Sequence, residues 1–596
     1  FPNAKMIAFG STVNGHTDAN EIDYFKFYAH KGDCIVIECE AGEIDSRLEP
    51  IFALRDSSGH ELARSRSSRG LSFTLPDDEV FYAGLHDALY QGGPEFFYRF
   101  SIGVLPQIHS MRPISIESND ITKFRIIGHN LPGSEKGTDG FDTIEVSLSR
   151  TNSAVNKARF AIPAGAGLDL YEYRAQNEHG VSKPFPFAFP NQPLIAADQT
   201  NQVAITAQVI APPCEIAGEF DRNRRSSWFT FEAKKGDTWW FELISQRLGS
   251  ASDPLLVVQQ VGKSDEPADV LELNDADENF GGIELNTKSR DPHGRFEAKA
   301  NGTYRIEIKD LFTRNRESAP ALYRLSIHRP QPDFRLVTIP SSLALPQKDS
   351  KEIAVVTTNL RRKSTVSVKV IALRQDGFNG PIDLSWEGLP KGVRSSIGRI
   401  DEGKSGIAVL LHGDESIENA SSPVKLLGSA EISGTKTSHQ AVAATLVWTT
   451  ADFANERIFS RECSANMVST IAETEPIHIF PLPEKTWEGT STGKVSIALM
   501  IDRAPEFKMD TFAVTPIGTP ALENMKEFEI AGTVTNTVFD IDLAQQKLAP
   551  GNYQFALRGF ARGKRAKPPG PDPEYTVYSD PISLKVSAPP TTAQAK

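Results

Sequence analysis

Cysteine is scarce in this 596-residue chain: it occurs only at Cys34, Cys39, Cys214 and Cys463. Four thiols this scattered exclude a disulfide framework or a zinc cluster. Cys34 and Cys39 fall on one predicted strand at odd spacing, so they face opposite sides and are not expected to pair. Buried free thiols are the expectation. Long hydrophobic runs are also missing, since no stretch approaches the roughly 18 apolar residues of a spanning helix. No membrane span is expected. Basic excess is lacking too: the net charge is −12, whereas phosphate binding needs a concentrated basic surface. A nucleic-acid partner is not expected.

The signatures of common catalytic machinery are missing as well. There is no H-E-x-x-H, no G-x-S-x-G nucleophile elbow and no Rossmann glycine run. The segment Gly489-Thr490-Ser491-Thr492-Gly493-Lys494 imitates a phosphate loop. It has one residue too few between its glycines and precedes a predicted strand, so it reads as a turn. His16 and Asp18 are neighbours, but no nucleophile is brought to them, and surface histidines are expected. No catalytic residue or organic cofactor is expected.

What is present is ordinary globular chemistry, with 39% hydrophobic and 23% charged residues. A chain of this length divides into roughly four or five cores. Segments such as Asp33–Glu38, Val366–Val370 and Ile382–Trp386 alternate apolar and polar residues, the period of a half-buried strand. The 43 glycines and 39 prolines punctuate these segments at the short intervals of sandwich turns. The expected fold is all-β, a row of β-sandwich domains.

An internal repeat organises the row. Asp23-Tyr24-Phe25-Lys26-Phe27 and Ala29-His30-Lys31-Gly32-Asp33 recur, at the same spacing, as Ser227-Trp228-Phe229-Thr230-Phe231 and Ala233-Lys234-Lys235-Gly236-Asp237. Ser46 to Pro50 aligns with Ser250 to Pro254, and both copies close on Tyr-Arg-x-Ser-Ile, Tyr98 to Ile102 and Tyr323 to Ile327. These residues resemble the bacterial pre-peptidase C-terminal domain, a small β-sandwich marked by A-x-K-G-D, a D-P-x-L strand and closing G-x-Y and Y-R-L elements. The second copy follows it more fully, with Asp253-Pro254-Leu255-Leu256, Gly302-Thr303-Tyr304 and Tyr323-Arg324-Leu325. The first has Glu49-Pro50 and lacks the glycine before Phe81-Tyr82.

Gly128-His129-Asn130-Leu131-Pro132 and Tyr173 to Ser182 look like parts of an immunoglobulin-like insert, and Asp376 to Ile382 opens another such sandwich. The expected domains are 1–105 and 193–331, both pre-peptidase-like, with immunoglobulin-like sandwiches at 106–192, 332–450 and 451–587 and a disordered tail at 588–596. This alternation is similar to large secreted proteins of planctomycetes and related bacteria. It implies a secreted, cell-surface location, and the start at Phe1 rather than Met is read as a processed terminus. Arg562 to Gly570 forms a basic, proline-rich loop, read as a solvated excursion.

Two groups carry candidate binding chemistry. Asp275, Asp277 and Asn279 place oxygen ligands at alternate positions of a loop, a pattern suited to Ca2+. It is not an EF-hand, because Phe280 and Asn286 occupy the sixth and twelfth places; Asp291 or Asp310 would have to complete a site. The competing reading is a solvated turn. Trp239 and Trp240, with Trp228, are candidates for a glycan-stacking or interface surface. Adjacent residues face opposite sides of a strand, so one of the pair is expected in the core.

The functional expectation is a non-catalytic, structural or adhesive extracellular protein that assembles with itself, as a homo-oligomer, fibre or layer, or with other cell-surface proteins. The alternative is a carbohydrate-binding accessory of a secreted polysaccharide- or protein-degrading system. The protease association of the resembling domain brings no active site with it.

Overall fold

The computed structural model describes residues 3–589 other than 66–69, 119, 138–139, 153–154, 158–169, 199, 221–225, 251, 263–267, 283–284, 313–320, 341–351, 354–356, 397, 450–458, 505–507, 510 and 565–573. Among the described residues the regular structure is all strand apart from three 3₁₀ turns, Gly42–Ile44, Ala204–Thr206 and Gln246–Leu248. The all-β, tandem-sandwich reading holds. No described helix is long and apolar enough to cross a membrane. Most of the basic loop from Arg562 and most of the tail lie outside the described residues. The chain forms two compact units, 1–278 with 288–330, and 279–287 with 331–596.

In the first unit the sequence repeat is a repeat of topology. One sheet of the first module orders Lys5–Met6, Asp23–Ala29, Glu79–Asp87, Pro50–Arg55 and Glu61–Ser65; the other orders Thr12–His16, Phe97–Gly103, Cys34–Glu40 and Leu71–Thr74. The second module repeats this with Gln208–Val209, Ser227–Ala233, Gly302–Asp310, Pro254–Gln260 and Ala268–Leu273, facing Cys214–Glu219, Leu322–His328, Thr238–Ile244 and His293–Glu297. It adds Leu194–Ala196 in parallel at one edge. Alternation decides what each strand buries: Phe25, Phe27 and Ala29 point inward in one module, and Phe229, Phe231 and Ala233 in the other.

The A-x-K-G-D motif is a turn with its own chemistry. Gly32 and Gly236 adopt φ of 87° and 89°, a region open to glycine and costly for other residues. The carboxylates of Asp33 and Asp237 each accept the N–H three residues back, from His30 and Lys234. The next N–H, of Lys31 or Lys235, donates to a side chain arriving from elsewhere in the module, Asp78 or Asn301. Replacing Gly236 by alanine is therefore expected to lower stability by about 1–2 kcal/mol, read as a shifted urea midpoint with unchanged slope.

A second shared device lies across the sheet. Tyr98 lies over its cross-strand partner Gly15, and Tyr323 over Gly218, so that a β-carbon at either glycine would collide with the ring. The glycine makes room for an aromatic that fills the core in its place.

The insert packs the sheet of Gln107–Ser118, Ile121–His129, Asp142–Leu148 and Glu135–Lys136 against a smaller one of Val155–Lys157, Tyr171–Tyr173 and Phe185–Phe187. Phe124, Phe187 and Phe189 form its aromatic centre. Its two sequence motifs prove to be joints. The Asn130 amide donates to the Cys34 and Leu105 carbonyls, and the Asn177 amide to those of Val104 and Asn130, tying the insert to the first module. On its other side, Arg324 of the second module binds Glu215 and the carbonyls of Ala188 and Phe189.

In the second unit the fourth sandwich extends beyond the expected boundary at 450. Phe459–Cys463 pairs antiparallel with Val442–Thr449, and Asn466–Thr474 lies between Thr358–Arg362 and Ala420–Ile432. Alternation identifies these segments as strands but does not say which sheet edge they complete. The fifth sandwich then begins at Ile477, with Ile477–Pro481, Lys494–Arg503 and Asn536–Asp542 facing a sheet built on Gly551–Lys564. Thr490 and Gly493 form a turn between strands, as expected of the false phosphate loop.

Candidate functional site

The two modules differ most where one strand crosses from the first sheet to the second. In the first module residues 66–70 join Glu61–Ser65 to Leu71–Thr74; in the second the connection between Ala268–Leu273 and His293–Glu297 is residues 274–292. Asp291 roots this longer excursion. Its side chain is fully buried and accepts the N–H groups of Ser245 and Gln246 on one oxygen, at 2.9 and 2.7 Å, and that of Arg247 on the other, at 2.9 Å. The Arg247 guanidinium adds a further bond to Asp291 at 2.9 Å and one to Glu242 at 2.9 Å. Burial alone would raise the Glu242 carboxyl, yet Arg247 beside it holds it below the ordinary range.

The candidate calcium ligands are distributed rather than gathered. Asp275 and Asp277 belong to the first unit and Asn279 to the second. Asn279 accepts the Thr287 N–H and donates to the Gly282 carbonyl, closing its own turn. Asp277 is largely in water and pairs with Lys288 at 3.3 Å. Asp275 lies by Asp253, whose carboxyl is raised first by burial and then by the charge of Asp275. Of the supplementary ligands, Asp291 is committed as above, and Asp310 accepts the N–H groups of Asp253 and Phe312. Among the described residues no group of three or more His, Cys, Asp or Glu is arranged to hold a metal.

The tryptophans separate as adjacent residues on a strand must. Trp239 is a core residue, and the Arg329 guanidinium, held by Asp237 at 3.1 Å, sits 3.8 Å from its ring centre. It offers no free stacking face. Trp240 lies on the outer side, half-buried, in register with Arg295 and His328. Cys39 and Cys214 are buried free thiols, pushed up to about 12 by burial, which keeps them protonated and inert. His16 and Asp18 sit 3.7 Å apart on the surface.

The longer connection leaves an opening that sequence reasoning missed. Between Ala268–Leu273 and His293–Glu297, each an edge of its own sheet, lies a cleft of about 340 Å³. Phe296 and Tyr304 form its buried floor. Val270 is 40% exposed at its mouth, and Arg295 and Lys299 both pair with Glu297 along the rim. The signal that could have found it is the unequal length of one connection in the two copies.

A buried carboxylate marks the joint of the first module with the insert. Burial raises Glu38 to about 7, against the opposing charge of Lys183, which bonds the Cys39 carbonyl and Glu43. A raised carboxyl favours the folded state below its unfolded value of 4.5, and this contribution is lost as pH rises through about 7. Glu38→Gln is therefore expected to leave stability unchanged in acid and to raise it above neutrality, by on the order of 2–3 kcal/mol. Urea midpoints of both proteins on either side of this window check it.

Neither protein-family models nor curated proteins give a match to this chain. Fold and site together define a tandem β-sandwich protein with a cleft between two sheet edges of its second module.

Proposed function

We propose that this protein is a non-catalytic, structural or adhesive extracellular protein. Its sandwiches act as a spacer, and its second module docks an extended segment of another copy by strand addition. The observation that carries this reading is the cleft between Ala268–Leu273 and His293–Glu297, where two sheet edges flank an aromatic floor. An edge strand offers backbone donors and acceptors to an incoming strand, and a floor of this kind takes its alternate side chains. In the first module the matching strands are joined by residues 66–70 alone, and Ser65 bonds the Gly70 carbonyl. The extracellular setting rests on the resemblance of both modules to domains of secreted proteins.

Light scattering over a concentration series tests this. The expected result is reversible association that Val270→Lys, a charge on the open edge, weakens at least tenfold. A strict monomer at every concentration, together with no polymer on the cell surface by electron microscopy, overturns it.

A further inference from the structure

We propose that the junction between the fourth and fifth sandwiches is an acid-responsive joint, closed while the His412 ring is neutral and opened by its protonation. The inference does not depend on the docking reading. His412 lies on Gly406–Gly413 of the fourth sandwich; His478 and Asp580 belong to the fifth. One oxygen of Asp580 receives His478 Nε2 at 2.9 Å and stands 3.9 Å from His412 Nδ1, which bonds the Thr365 hydroxyl at 3.1 Å. Both rings are largely withdrawn from water, with side-chain exposures of 14% for His412 and 12% for His478.

An apolar contact lies beside these groups. Leu410 packs on Ile517 and Ala556, and the Tyr578 hydroxyl meets Ser367 at 3.1 Å.

The charges around His412 are mixed, and the strongest of them, Asp580, favours a cation there. Arg394 and His478 face it with like charge. Of the two anions that face it, Asp580 is already bonded by His478, and Asp414 is bonded by the N–H and hydroxyl of Ser416. Glu475, raised by burial beside Arg361 and His478, takes up its proton more readily in the closed joint than in the open one and so opposes opening in acid. Burial, the largest influence, lowers His412 below its ordinary 6.5 against the opposing charge of Asp580. A base lowered in the closed state takes up its proton more readily in the open one. Opening is thus favoured progressively as pH falls below 6.5, and the effect saturates below the closed-state value.

Hydrogen–deuterium exchange of the full chain, corrected for intrinsic rates, tests this at about pH 7.5 and about pH 5. Exchange in Gly406–Gly413 and Ile477–Pro481 should rise several-fold in acid, while Lys494–Arg503, interior to the fifth sandwich, stays protected. His412→Gln can still bond Thr365 but cannot charge, and it should abolish the rise. The proposal is overturned if the wild-type segments exchange equally at both pH values, or if His412→Gln keeps the acid response. Equal loss of protection in Lys494–Arg503 also overturns it, since that is global acid unfolding.

Discussion

Arg324→Ala is expected to destabilise the first unit by about 3–5 kcal/mol. The guanidinium is buried against Glu215, with side-chain exposures of 6% and 3%, and also donates to the Ala188 and Phe189 carbonyls. Alanine leaves one buried carboxylate and two buried carbonyls without their donor, and uncompensated charge is the costly part. Lysine should not rescue it, because a single ammonium cannot reproduce the planar fork that reaches all three acceptors. The double change Arg324→Met with Glu215→Gln removes both charges and should lose less than Arg324→Ala alone. Urea denaturation of the three variants checks the ordering, and a double variant worse than the single one would refute it.

Asp291→Ala should rank beside it, at about 3–5 kcal/mol. The change removes the acceptor of three backbone N–H groups and strands Arg247 with only Glu242 for a partner. Asp291→Asn keeps the shape but not the charge, and should fall between alanine and wild type. The effect also has a location. With its root cut, the 274–292 excursion should open before the module does, so limited proteolysis should cleave there first. Cleavage scattered over the chain would mean that Asp291 acts on global stability alone.

These two cases show how far residues could be interpreted before the fold was known. Arg324 is part of the Y-R-L element that marks the repeat, and Arg99 holds the same place in the first copy. Arg99 is half exposed and pairs with Glu40 at 3.2 Å, a surface bridge worth about 0–1 kcal/mol. Nothing in the motif separates the two arginines; only the insert packed against the second copy does. The Asp275–Asp277–Asn279 pattern was legible as alternate oxygens, yet ligation needs convergence, and the chain assigns the three to different tasks. Asn130 and Asn177 were visible as motif residues, but their role as joints depends on carbonyls far away in sequence.

What the sequence determined by itself was local: strands from alternation, the Lys-Gly-Asp turn from a glycine and a neighbouring carboxylate, and hence one module twice. Those features depend on residues a few positions apart, whose geometry the backbone dictates. Tertiary structure decided which arginine is buried, which sheet claims the strands after 450, where an edge is left open, and that two histidines share one aspartate. Each of these depends on surfaces meeting across long separations, where packing rather than local spacing sets burial, charge and exposure.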